Sequence, residues 1–144
     1  PMRPILYTAG PYSSPDGDHG IRNNIRTASA IALEGWRAGW AVFCPHKNTR
    51  DFHLETDIPW ETWIDGDLSI LRRCDALLLL PGWWASPGAL IEKRCATENG
   101  IPVYYYETEG MPRPVLRRAI KEPEVMEEAL VSVRAPGYFF RGET

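Results

Sequence analysis

Five consecutive apolar residues, Ala76 to Leu80, lie between Asp75 and the turn pair Pro81-Gly82, and no other stretch limits the possible folds so tightly. So short an apolar run, bounded by turn formers, reads as a strand buried on both faces. The chain then passes two tryptophans and Ser86-Pro87-Gly88 into Ala89, Leu90, Ile91 and Glu92. Strand, short loop and helix follow in order. In an open α/β sheet such a junction faces the crevice beyond the carboxyl ends of the strands, where backbone N–H groups at a helix start favour anions. Ser86 is placed as N-cap, Pro87 at the first helical position, and Gly88 where a ligand can approach the backbone closely. Glu92 lies roughly one and a half turns into that helix. Its spacing allows a solvent-facing acid stabilised by the helix dipole, or a carboxylate turned into the crevice.

The rest of the chain repeats the alternation. Pro4 to Ala9 is β-prone and ends at Gly10-Pro11, and the turn-rich loop Gly10 to Gly20 follows at its carboxyl end. Apolar residues at Ile21, Ile25, Ala28, Ala32, Leu33 and Trp36 predict a helix over 21–38, closed by Gly39. Trp40 to Cys44 predicts a second strand. His46 to Pro59 reads as a loop at the same end of the sheet. Trp60, Trp63, Ile64, Leu68 and Leu71 predict a helix over 59–73, with Gly66 weakening its interior by ~1 kcal/mol unless packing or a ligand requires it. A helix over 87–99 ends at Gly100, and Ile101 to Tyr106 gives a strand whose proline suits an early or edge position. The alternation predicts a doubly wound, Rossmann-like (flavodoxin-like) α/β fold with a mostly parallel four- or five-stranded sheet and helices on both faces. Beyond Glu107, two short helices over 114–120 and 124–133 and an aromatic tail, Tyr138, Phe139 and Phe140, are expected, the tail packing on its own domain or on a neighbouring subunit.

At 144 residues the chain fits a single domain, with a core over 1–106 and C-terminal helices and tail over 107–144. A net charge of −3 with interspersed signs gives no basic field for a nucleic-acid polymer or a membrane surface. No apolar stretch approaches the ~20 residues that span a bilayer. Cys44, Cys74 and Cys95 form no CxxC pair, and reduced thiols in a cytoplasmic protein are the simplest account. GxGxxG, Walker and GxSxG motifs are absent, so dinucleotide, NTP and serine-hydrolase chemistry lack support. His19, His46 and His53 with Cys44 fit no common metal spacing, and neither metal nor cofactor is expected. What remains is acidic: Asp16, Asp18, Asp51, Asp57, Asp65, Asp67 and Glu92. Asp67 shares a helix face with Ile64 and Leu71 and should point inward, where a carboxylate needs a partner or a purpose. Asp75 is expected to cap the preceding turn.

Several of these segments match a known pattern. Y-T-A-G-P-Y at Tyr7 to Tyr12, N-I-x-x-A at Asn24 to Ala28, D-L-x-x-L-x-x-C-D at Asp67 to Asp75, and above all S-x-G-A-x-x-E at Ser86 to Glu92 resemble the nucleoside 2-deoxyribosyltransferase superfamily, which includes 2-deoxynucleoside 5-monophosphate N-hydrolases. The resemblance covers about the first 106 residues. It implies Glu92 as the nucleophile at the sugar's anomeric carbon, Asp67 as the acid assisting departure of the base, and Tyr12, after the Gly10 turn, packing on that base. It also implies Ser86 and Ser13 or Ser14 as hydroxyls for a 5-phosphate, with Asn24 and His46 as pocket residues. Gly10 and Gly88 are expected at the ligand, and Trp83 is either a pocket wall or core packing. The chemistry agrees, because breaking an N-glycosidic bond calls for one carboxylate to meet oxocarbenium character and another acid to protonate the leaving base.

The implied activity is hydrolysis of (deoxy)nucleoside 5-monophosphates. Base exchange between deoxynucleosides is the alternative within the fold, and a non-catalytic nucleotide-sensing module the alternative outside enzymology. The implied partners are a small-molecule nucleotide or nucleoside and further copies of the chain in a homo-oligomer.

Overall fold

The apolar run forms the third strand of a four-stranded parallel sheet, and each of its residues is buried. A computed structural model describes residues 2–50, 52–54 and 57–117, without the His53 side chain. In chain order these are β1 (Ile5–Ala9), α1 (Gly17–Ala38), β2 (Ala41–Phe43), α2 (Pro45–Asn48), a 3-10 turn (Phe52–Leu54), α3 (Trp60–Leu71), β3 (Ala76–Leu79), a second 3-10 turn (Trp83–Ala85), α4 (Pro87–Glu98), β4 (Val103–Tyr105) and α5 (Tyr106–Glu109). The strand order is β2-β1-β3-β4. The chain goes from β1 to β2 on one side and then crosses back past β1 to β3, so the order reverses between β1 and β3. A doubly wound sheet opens its ligand crevice at that reversal. Leu6 to Ala9 pair with Ala76 to Leu79 there.

Strand alternation divides the core into two layers. Tyr7, Ala9, Leu77 and Leu79 face α3 and α4, packing with Leu68, Leu71, Ala89, Cys95 and Ala96. Leu6, Ala76, Leu78 and Leu80 face α1, packing with Ala28, Ile31, Ala32 and Trp40. Cys44, Cys74 and Cys95 are buried and unpaired. Gly39 ends α1 in the left-handed region, at a φ of 110°, as a helix stop of this kind requires.

The edge opposite the crevice is tied together by side chains. One Asp75 carboxylate oxygen accepts from Ile5 N at 2.7 Å and the other from Arg117 N at 2.8 Å. Asp75 therefore joins β1 to a distant segment, a longer reach than the turn cap expected of it. The Arg117 guanidinium donates to the carbonyls of Asn99 and Arg72, each at 3.2 Å. Trp40 Nε1 donates to the Pro112 carbonyl at 2.8 Å.

Several boundaries differ from the sequence reading. Helix α1 begins at Gly17, because Gly17 N donates to Ser14 O at 3.2 Å while Asp16 N donates to Ser14 Oγ at 3.1 Å, closing a turn into the helix. That first turn is polar, so apolar spacing does not reveal it. Leu33 and Trp36 are about half exposed, at 49% and 47%. The Arg3 guanidinium lies 6.0 Å from the Trp36 ring, so this end of the apolar stripe meets a cation at the surface. The stretch after Cys44, read as loop, contains α2 and a 3-10 turn. Gly66 has no packing reason, since a Cβ there would meet nothing within 4 Å. Pro114 to Arg117 are irregular where a helix over 114–120 was expected. The rest of that segment, the 124–133 helix and the aromatics at 138–140 lie outside the described residues. Among the described residues no helix is long and apolar enough to cross a membrane.

Candidate active site

The βα junction after β3 has the local structure its residues dictate. Ser86 is extended, its Oγ accepts from Ala89 N at 3.2 Å, and Pro87 takes the first helical position of α4. This cap fixes where α4 starts and hence where Glu92 falls: beneath the helix, 6% exposed, against the face of the sheet that carries Tyr7. The Tyr7 hydroxyl donates a hydrogen bond to Glu92 Oε2. Of the two placements open to Glu92, the structure has the inward one.

A cavity of about 760 Å³ opens above the carboxyl ends of β1 and β3. Glu92 and Asp67 both line it. So do Gly10, Tyr12, Ser13, His46, Ser86 and Gly88, with aromatic and apolar walls from Phe52, Trp60, Trp63 and Ile64. Polar groups converging in an apolar, aromatic-walled cleft are what a small-molecule site needs. Gly10 is required by a close crossing, since a Cβ there would fall 2.7 Å from Leu80 Cβ.

Three of the candidate ligand residues, Ser14, Asn24 and Trp83, do not line the cavity. Ser14 Oγ closes the turn before α1 and packs against Gly20. The Asn24 amide donates to the carbonyls of Tyr12 at 3.0 Å and Ser13 at 3.3 Å, so it holds the first loop from behind. Trp83 packs against Tyr105 with its ring tilted by 56° and the centroids 5.4 Å apart, and the Lys93 ammonium sits 4.8 Å from the Trp83 ring. It packs outside the cavity. The expected residues that do gather come from four segments: the loop after β1, the start of α2, the middle of α3 and the start of α4.

Electrostatics single out the two acids. Burial pushes Glu92 up to about 8; the Tyr7 hydrogen bond pulls the other way, and the Asp67 charge adds to the rise. Burial pushes Asp67 up to about 6. Interacting carboxyls titrate as a pair, so between these values the two share one proton. Deeper burial favours that proton on Glu92, whereas the acid and base roles read from the sequence put it on Asp67. His46 is held neutral by burial, and its Nε2–H donates to the Pro11 carbonyl at 2.8 Å. Its Nδ1 is then a lone-pair acceptor, buried and without a partner among the described residues. No group of three or more His, Cys, Asp or Glu side chains among the described residues is placed to hold a metal ion.

Tyr7 is the functional residue that the sequence reading missed, because its motif reads first as strand. The clue was there: a buried tyrosine hydroxyl needs a partner, and alternation along β1 puts Tyr7 on the face that receives α4. Trp60 and Trp63 were missed as walls because core packing explains helical aromatics equally well, and Phe52 because it falls in a stretch without periodicity.

A parallel sheet with order 2-1-3-4 and a carboxylate pair at its reversal point define the class: a Rossmann-like α/β domain with a cleft at the carboxyl ends of its central strands. More narrowly, the chain belongs to the family described as Domain of unknown function (DUF4406), whose model matches residues 5–105, the span from β1 to β4. Among curated proteins, no relative matches.

Proposed function

We propose that this protein is a retaining N-glycosidase that breaks the base–sugar bond of nucleoside-type substrates. The observation that carries the reading is the convergence of Asp67 and Glu92, from separate helices, on one aromatic-walled cavity in which burial raises both acids. The S-x-G-A-x-x-E pattern and its resemblance to the nucleoside 2-deoxyribosyltransferase superfamily support the same roles.

The reactive arrangement has the shared proton on Asp67 and the charge on Glu92. Glu92 attacks the anomeric carbon as the carbon–nitrogen bond breaks, and Asp67 gives its proton to the departing base. Water then attacks the glycosyl–enzyme ester, its proton returns to Asp67, and Glu92 leaves as carboxylate. A second base in place of water gives transfer. Tyr7 steadies the Glu92 charge, and the ring of Tyr12 with the walls of Trp60 and Trp63 suits a planar heterocycle. With this reading go the expectations of a cytoplasmic protein acting on small molecules and of a homo-oligomer, whose state sedimentation would check.

The test is release of free base, followed by chromatography, from a panel of nucleosides and 5-monophosphates. Glu92→Ala should abolish it, and Asp67→Asn should lower kcat by roughly 10²–10⁴, least for bases that leave readily without a proton. Base release that survives Glu92→Ala removes the nucleophile and with it the proposal.

A further inference from the structure

The cavity holds two carboxyl groups and, among the described residues, no lysine or arginine in its lining. Its one histidine is held neutral. The nearest cations along the chain, Arg22 on α1, Lys47 on α2, Arg50 after it and Lys93 on α4, lie outside the lining; the first three are exposed, and the Lys93 ammonium sits over the Trp83 ring. The start of α4, where a phosphate would ordinarily sit, is largely occupied by its own cap. Pro87 has no N–H, Ala89 N donates to Ser86 Oγ, and Leu90 N donates to Ser86 O at 3.0 Å. That leaves Gly88 N–H as the free backbone donor of the first turn, with the Ser86 hydroxyl proton beside it. Of the two first-loop serines, Ser14 is committed to the turn before α1, and the acids Asp16 and Asp18 follow it in the chain.

Phosphate sites gather cations, free backbone donors or both, and this pocket presents acids and a filled cap. We infer that the site selects by charge: it takes an uncharged nucleoside, rejects the 5-phosphorylated form, and accepts the phosphate once a basic residue stands at position 13. Ser13 is the position to change because it is exposed, on the loop, and lines the cavity. The inference departs from the 5-monophosphate substrate that the motif resemblance implies, and it rests on the proposed nucleoside-type ligand.

Binding separates this inference from the catalytic reading. Glu92→Gln resembles the protonated acid and stops turnover, so calorimetric titration of this variant with deoxynucleosides and their 5-monophosphates near pH 7 reads affinity alone. Nucleosides should bind at least tenfold more tightly, about the effect of one extra like charge roughly 8 Å away at an effective dielectric of about 20. The gap should narrow as salt is raised. Adding Ser13→Arg should shift the ratio of monophosphate to nucleoside affinity about tenfold towards the monophosphate. Equal or tighter binding of monophosphates before that addition, binding of neither class, or a preference that ignores both salt and Ser13→Arg overturns charge selection. Nucleoside binding without base release by the wild-type protein would instead sink the glycosidase proposal and leave charge selection standing.

Discussion

Replacing Glu92 with glutamine should make the protein more stable at neutral pH. Burial holds Glu92 at about 8, against 4.5 for the free side chain, so the folded chain keeps a proton that the unfolded chain releases. The stability contributed by this group is complete below the unfolded value and is lost as pH rises, until the folded carboxyl itself ionises near 8. At ~1.4 kcal/mol per pH unit, the loss accumulated by pH 7 is about 3 kcal/mol. Glutamine has nearly the same shape, carries no charge, and can accept the Tyr7 hydroxyl bond through its carbonyl. The variant should therefore melt roughly 10 °C higher at pH 7 for a chain of this size. Thermal unfolding of both proteins at pH 5, 7 and 8.5 checks it, and the difference should widen with pH. A variant whose stability follows the wild-type pH dependence, or that melts lower at pH 7, would refute the assignment of Glu92 as a strained buried acid. An active-site replacement that stabilises is a familiar sign that function is held against stability.

Tyr7→Phe removes the bond that lowers the Glu92 pKa. If the singly protonated acid pair is the active form, kcat/KM of the wild type should be bell-shaped with limbs near 6 and 8. In the variant the alkaline limb should move upward and the plateau fall about tenfold, because more of the shared proton stays on Glu92; a profile with unchanged limbs in steady-state kinetics would discount the Tyr7 role. Ser86→Ala deletes the α4 cap and should destabilise the protein by about 1 kcal/mol, read as a lower urea midpoint at unchanged m-value.

The alternation of strands and helices and its layering could be read from the sequence because apolar runs, helical spacing and glycine stops act locally. Ser86 and Pro87 fixed one helix start in the same way, and inward spacing gave Asp67. Glu92 was ambiguous because helix phase does not say which side of α4 meets the sheet. The start of α1 was hidden because a turn built on Ser14 leaves no apolar trace. Trp83 could not be assigned, since a tryptophan beside the crevice turns to whichever neighbours are available, here Tyr105 and Lys93. Tyr7 shows the general difficulty: its partner lies 85 residues away, and only the completed sheet brings the two together.

Asp75, Arg117 and Trp40 clasp the sheet at the end opposite the cleft. These ties lie away from the cleft, while much of its lining comes from Gly10 to Ser13, from Pro45, His46, Thr49 and Phe52, and from Trp60 and Trp63 at the start of α3. New side chains, or added residues, in those segments can redraw the shape of the chamber and leave the clasps untouched. The architecture keeps anchorage and recognition at separate poles, so one foundation can carry differently furnished rooms.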